Sequence, residues 1–421
     1  MIDPRRRAAL MLAILALAAG LTACSGAKGD GATTEHPSHT PSTIEVPGDS
    51  PTITAAVERA GPGDLVLIDP GTYHEAVTVE VEGLTLRGRD RNTVILDGSQ
   101  TLENGVTVFA DGVSVENLTV RNYRSNGVLF TGDYGKGRTL SDYRAAYITA
   151  QANGLYGIYA FNATDGLIEH TATSGHPDAG LYVGQCFPCN TVVRDNLAES
   201  NAVGFQATNA GGDLLVVSNT FRNNRVGVEP NSSNRERLAP QRGAIVAGNV
   251  IADNANPQTP KATEAFGYGV AIGGGRNNRI VRNRISGNPA AGVALAQQEH
   301  FPPEGNRVQD NTLTGNGVDL VYVSSDGARL DNCFSGNTFT SSSPPSIEAT
   351  LGCVPEAQGG SGTPLAVTAP PGIDPSAVAP LPPQPSMPGE VDRLPKRFSG
   401  PPDLDVDSIA LPAADTFPGV P

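Results

Sequence analysis

Between Ser174 and Asn190 the chain sets His176, Asp178, Cys186 and Cys189 in the run SGHPDAGLYVGQCFPCN. A histidine two residues from a carboxylate can serve as general base or acid near neutral pH. The Cys-x-x-Cys pair offers a disulfide, part of a zinc site, or a redox dithiol. Thioredoxin-like reactivity wants such a pair at a helix N-terminus, whereas here it follows a strand-like apolar run. Zinc would need two further ligands, and only His170 or His176 stand near enough in sequence to supply them. A turn through Phe187-Pro188 would bring the sulfurs within bonding range, and proline at the third turn position points to a cis bond. The disulfide is therefore the expected state, with no metal and no cofactor.

A repeat must position these residues. A glycine followed by alternating apolar residues recurs as Gly157-Ile158-Tyr159-Ala160, Gly180-Leu181-Tyr182-Val183, Gly204-Phe205-Gln206-Ala207 and Gly227-Val228-Glu229. It returns at Gly269, Gly292 and Gly317, with successive spacings of 23, 24, 23, 42, 23 and 25 residues. Asparagines five apart accompany it at Asn117/Asn122, Asn196/Asn201, Asn219/Asn224, Asn249/Asn254, Asn283/Asn288 and Asn311/Asn316. The two-residue alternation belongs to strands with one buried face. A period of this length holds about three short strands joined by tight turns, and stacked coils bury a continuous core. Asparagine at equivalent turns tolerates left-handed backbone and can hydrogen-bond from one coil to the next. The expected fold class is all-β, a single-stranded right-handed parallel β-helix solenoid. Its N-terminal end needs a cover, and Ser50-Pro51 reads as an N-cap followed by proline, opening a short capping helix over Thr52 to Ala60.

Register then places the chemistry. Residues one and three after each repeat glycine point inward and the second points outward. The outward column reads Leu129, Tyr159, Tyr182, Gln206, Glu229, Ala271, Ala294 and Asp319, with Asn162, Gln185 and Asn209 three positions further on. Tyrosine faces can stack on sugar rings while amide and carboxyl groups bind hydroxyls. Aligning Gly127 with Gly180 sets His176 opposite Tyr123, so His176 and Asp178 are expected on a lengthened surface turn at one edge, with Tyr123 and Arg124 a coil earlier. His170 falls in the column of Asn117, Asn196 and Asn219 and reads as a polar ladder residue. The candidate catalytic groups are thus His176 and Asp178. The candidate substrate-binding groups are Tyr123, Arg124, Tyr159, Tyr182, Gln206 and Glu229.

The run TITAAVERAGPGDLVLIDPGTYHEAVTVEVEGLTLRGRDRNTVILDG, residues 52 to 98, resembles the opening of pectin-lyase-like β-helix proteins, among them pectin methylesterases and NosD copper-accessory proteins. With the asparagine repeats, the resemblance spans residues 43–354. It implies the fold and a polysaccharide or envelope partner, since the scaffold carries lyases, hydrolases, esterases, epimerases and plain binding proteins. The motifs of its best-known enzymes are missing. The chain has no Trp for the Arg-Pro-Trp segment of methylesterases, Gly175-His176 is all that hints at a polygalacturonase Gly-His-Gly, and His176-Pro177-Asp178 is a shuffled fragment of the epimerase Asp-Pro-His-Asp. Three methionines and scattered histidines give no support to a copper role.

The N-terminus carries Arg5, Arg6 and Arg7 before an apolar run too short to span a bilayer, and so reads as a signal peptide over residues 1–23. Leu21-Thr22-Ala23-Cys24 resembles the lipobox of bacterial lipoproteins, and the composition that of β-helix lipoproteins from high-GC bacteria. The resemblance implies lipidation of Cys24 and anchoring on the outer face of the cell membrane. Of five cysteines this leaves four, an even number in an oxidising compartment. Cys333 and Cys353, one coil apart, are expected to pair like Cys186 and Cys189. Residues 24–42 read as a flexible tether. Residues 355–421, with 16 of the 34 prolines, read as a mostly disordered tail. A net charge of −14 disfavours nucleic acid and polyanionic partners. The function expected is that of a monomeric, exported, lipid-anchored protein that binds a polysaccharide, with its modification as lyase, epimerase or hydrolase left open. The alternative is a non-catalytic structural or interaction lipoprotein.

Overall fold

A computed structural model of the chain describes residues 39–261, 264–325, 327–357 and 359–414. The signal peptide, Cys24 and tether residues 25–38 lie outside the described residues. At the tether's end, Asp64 accepts hydrogen bonds from the Ser42 backbone (2.7 Å) and His39 Nε2 (2.8 Å).

Three parallel sheets run the length of the solenoid. Sheet I has 12 strands, from Thr43–Val46 to Cys333–Ser335; sheet II has 10, and sheet III has 11, from Val77–Val79 to Ser342–Ser343. Each coil crosses them in the order I, II, III. Ile158, Leu181, Phe205, Val228, Val270, Val293 and Leu320 stack as one inward column of sheet III, all fully buried. The repeat glycine precedes this column because the coils come close there: a Cβ on Gly204 would lie 2.6 Å from the Gly227 carbonyl oxygen. Gly317 sits two residues ahead of that position, which Asp319 fills.

The asparagine pairs form two buried ladders. Asn196, Asn219, Asn249, Asn283, Asn311 and Asn337 line the I–II corner, and Asn201, Asn224, Asn254, Asn288 and Asn316 the II–III corner. Side-chain amides donate to the next asparagine's oxygen, as from Asn196 to Asn219 at 2.9 Å, and back to a carbonyl of the preceding coil, as to Ile168 at 2.9 Å. The ladder amides are thereby buried with their partners in place. A third ladder of Gln241, Asn278, Asn306 and Asn332 precedes sheet I. Asn117 and Asn122 stand one residue outside the ladders, at φ 56° and 59°. His170 (φ 49°) shares the left-handed column of Asn117 and stacks on Tyr147 at 4.6 Å, so it is not the ladder residue; Thr171 is, donating its N–H to Asn196 at 2.9 Å.

The capping helix spans Ile53–Arg59 and lays Ile53, Ala56 and Val57 on the end of the core. Its N-cap is Thr52 rather than Ser50: the Thr52 hydroxyl accepts from the Ala55 N–H, and the Glu75 carboxylate takes the N–H groups of Ile53 and Thr54. The far end closes on Ile347 and Leu351, beside a disulfide between Cys333 and Cys353. The other expected disulfide, Cys186–Cys189, is also formed, and the Phe187–Pro188 peptide is cis.

The tail departs from expectation. Its described part takes a defined path along the solenoid, out past Arg225 and Arg91 and back over sheet I. Arg225 donates to the carbonyl of Pro370, Arg91 to that of Pro385, and Arg87 to those of Val391 and Arg393. Leu404, Val406 and Ile409 then pack on Val217, Ala247 and Val281. Composition indicates that the tail has no core of its own; it borrows one, and its proline-rich backbone leaves carbonyls free for arginines.

Candidate functional site

The site residues scatter in an instructive way. His176 is not on the surface. It fills the ladder column at the II–III corner between Asn153 and Asn201, fully buried. Nδ1 lies 2.8 Å from the Asn201 amide oxygen and Nε2 3.2 Å from the Asn153 amide nitrogen. This pattern requires the proton on Nδ1, with Nε2 accepting. Burial pushes the pKa down to about 4, against the hydrogen bond with Asn201. A neutral imidazole with both nitrogens engaged inside the wall cannot serve a ligand, and the catalytic expectation for His176 is corrected. Tyr123 occupies the same column two coils earlier: it is 1% exposed, and its hydroxyl donates to the Glu75 carbonyl at 2.6 Å. It too is structural. Arg124, next in sequence, is exposed at the corner and lies two coils from Asp178, not one.

The remaining residues do share the outer face of sheet III. Tyr159 pairs across the register with Tyr182, Tyr182 with Gln206, and Gln206 with Glu229. The column continues through Ala271 and Ala294 to Val321, not Asp319, because of the displaced Gly317, and on to Ser343. Tyr156, on the turn entering the sheet, stacks on Tyr159 at 4.3 Å and donates its hydroxyl to Asp178 at 2.7 Å. Tyr182 meets both rings, at 5.0 Å and 4.8 Å. Gln206 donates to Glu229 at 2.8 Å.

The face is not uniformly open. The loop between Ser232 and Gln241 folds back over it, where Glu236 accepts from Tyr182 (3.5 Å), Gln185 (3.2 Å) and Asn209 (3.2 Å). Tyr182 is only 3% exposed and Gln206 7%, so both point outward without reaching solvent freely. Opening occurs further along, where small side chains replace the tyrosines. A cavity of about 430 Å³ lies over Ala271 and Ala294, with Glu229 at one end. The loop residues Glu264 and Phe266, with Tyr268, line one side, Gln297 and Gln298 another, and tail residues Pro364 to Val367 a third.

Electrostatically the face is a cluster of reluctant carboxylates. Burial pushes Glu229 up to about 7; the Gln206 hydrogen bond opposes this and the nearby Asp178 charge adds to it. Burial also raises Asp178, against the hydrogen bond from Tyr156, and raises Glu236, against those from Asn209, Gln185 and Tyr182. A carboxyl that titrates near neutrality can donate or accept a proton at a bound ligand. Among the described residues no group of three or more His, Cys, Asp or Glu could hold a metal ion.

Sequence reasoning missed Tyr156, Glu236 and the cavity. Tyr156 lies just outside the repeat unit, and Glu236 belongs to an interruption whose return path no periodicity encodes.

Fold and face together define a parallel β-helix protein with one tyrosine- and carboxyl-bearing sheet. The chain belongs to the right-handed β-helix family, whose model, the "right handed beta helix region", matches residues 72–241 and 238–357. A search of the curated proteins finds no match. Among solved structures the chain is similar to pectate lyase Pel9A, at 17% identity over 76% of this chain and 82% of that one, with a TM-score of 0.48. It is similar also to the A-module of the Azotobacter vinelandii mannuronan C-5 epimerase AlgE4, at 16% identity over 69% and 91%, with a TM-score of 0.47.

Proposed function

We propose that the chain is an exported, lipid-anchored protein that binds polysaccharide on the outer face of sheet III, in and beside the cavity over Ala271 and Ala294. The observation that carries the reading is the cavity itself, with the small side chains of Ala271 and Ala294 at its floor, the Phe266 and Tyr268 rings beside it and the Glu229 carboxyl in its lining. Aromatic faces offer stacking, and Gln297, Gln298 and Glu229 offer polar contacts, in a space within the usual range of about 300–1,000 Å³ for small-molecule sites. Modification of the glycan falls to Glu229 and Asp178, which exchange protons as lyase, epimerase or hydrolase carboxyls do. Two disulfides support an oxidising compartment, and Cys24 is the lipid attachment point. A non-catalytic role is favoured by one observation, the seating of Glu236 over Tyr182.

The test is a polysaccharide panel scored for binding and for product, with wild type, Tyr268→Ala and Glu229→Gln. Binding that falls at least tenfold in Tyr268→Ala, with product lost in Glu229→Gln, is expected. Binding without product in wild type leaves the non-catalytic reading, and binding indifferent to both substitutions removes this face from consideration.

A further inference from the structure

Charge distinguishes this cavity. None of the sheet III strands contains a Lys or Arg, whereas sheet I strands carry Arg87, Arg144, Arg194, Arg242, Arg279 and Arg307. Among the described residues the cavity lining includes two carboxyls, Glu229 and Glu264, and no cationic side chain. Two cations stand near it but outside the lining. Lys261 Nζ holds Glu264 at 2.6 Å from outside the lining. Arg225, 1% exposed, stands against the Phe266 ring at 4.9 Å, donates to Pro370, and is not part of the lining either.

We infer that the cavity takes a pyranose unit without a carboxylate, uncharged or amine-bearing, and that the C-terminal tail forms part of its specificity. This rests on the glycan reading above and narrows its substrate class. A uronate brought beside Glu229 would lose hydration and meet like charge once Glu229 ionises, with no guanidinium or ammonium in the lining to offset either. An uncharged sugar meets no such penalty, and an amine would gain from Glu229, Glu264 being held already by Lys261. The tail enters because Pro364, Leu365, Ala366 and Val367 wall the cavity and bring only apolar side chains to it.

The test titrates the full chain with neutral gluco-oligosaccharides, glucosamine oligosaccharides and oligogalacturonates of equal length, by calorimetry. At least one of the first two is expected to bind tenfold or more tightly than the oligogalacturonate. Ala271→Trp, which fills the floor, should weaken that binding at least tenfold with the circular dichroism spectrum and melting temperature retained. If that variant does not fold, Ala296→Arg serves instead: a guanidinium in the lining should raise oligogalacturonate affinity relative to the neutral sugars. Preference of the wild type for oligogalacturonate, or indifference to these substitutions, overturns the inference while leaving a glycan-binding protein. No binding of any oligosaccharide overturns both.

Discussion

Sheets I and III come from the same repeat, yet their outer faces are of opposite character. On sheet I, Arg87, Glu116, Arg144, Glu169 and Arg194 form an alternating chain of ion pairs, including Arg87–Glu116 at 2.7 Å and Arg144–Glu169 at 2.6 Å. The tail covers what lies beyond them with Leu404, Val406 and Ile409. Sheet III has carboxyls without cations, tyrosines stacked on one another, and a cavity. One face is neutralised and closed; the other keeps carboxyls that burial pushes up, Glu229 to about 7, and a space beside them. A solenoid can thus devote one side to holding itself together and another to a ligand without altering its core.

The largest effect should come from breaking sheet I. Glu169→Ala removes one carboxylate partner each from Arg194 and Arg144, which keep Asp195 and Glu116, and should cost about 3 kcal/mol, the lower end for breaking a buried ion pair. Chemical denaturation measures it; a loss under about 1 kcal/mol would mean that the ion-pair chain is not what stabilises that face.

His176 separates wall from site. Its folded pKa of about 4 lies below the ordinary 6.5, so the folded state binds fewer protons. Its contribution is full above pH 6.5 and lost as pH falls toward 4, amounting to about 3 kcal/mol. His176→Asn should keep the ladder and remove this acid sensitivity, leaving glycan binding intact. Loss of binding in a folded His176→Asn protein would return the histidine to the site.

Glu229 has the opposite sign. Its folded pKa of about 7 exceeds the ordinary 4.5, so its stabilising contribution is full below pH 4.5 and lost as pH rises through 7. Glu229→Gln should therefore raise stability at pH 8, on the order of 1 kcal/mol, less than for His176 because Glu229 keeps some contact with solvent, and change little at pH 4. Thermal melts at the two pH values check this, and equal shifts at both would deny Glu229 its unusual titration.

The smallest effect is expected from Ile409→Ser, which loosens the tail from sheet I at a cost of about 1 kcal/mol. Because the tail segment that walls the cavity lies elsewhere, glycan affinity should hold. A parallel drop in affinity would show that the tail acts as one unit across both faces.

Much of this was legible in the residues. Gly180-Leu181-Tyr182-Val183 and its repeats specify strands, coil length and the inward column, because an alternating side-chain period leaves no other element available. The outward column from Leu129 to Ala294 followed from the same alternation. His176 was misplaced for a definable reason: Gly175-His176-Pro177-Asp178 has turn composition, and composition does not say which turn residue points into the wall. Its alignment with Tyr123 was sound, and both proved to be interior.

The amino-acid sequence by itself determined the repeat and the fold, since each depends on local period; it supplied four cysteines at spacings that allow two disulfides, and the structure pairs them. Tertiary structure decided the rest. Only folding could bring Glu236 over Tyr182, set Glu264 and Pro364 to Val367 around Ala271 and Ala294, and press Ile409 onto Ala247. Those contacts join segments with no shared period, and their positions depend on how the loops and tail return across the coils.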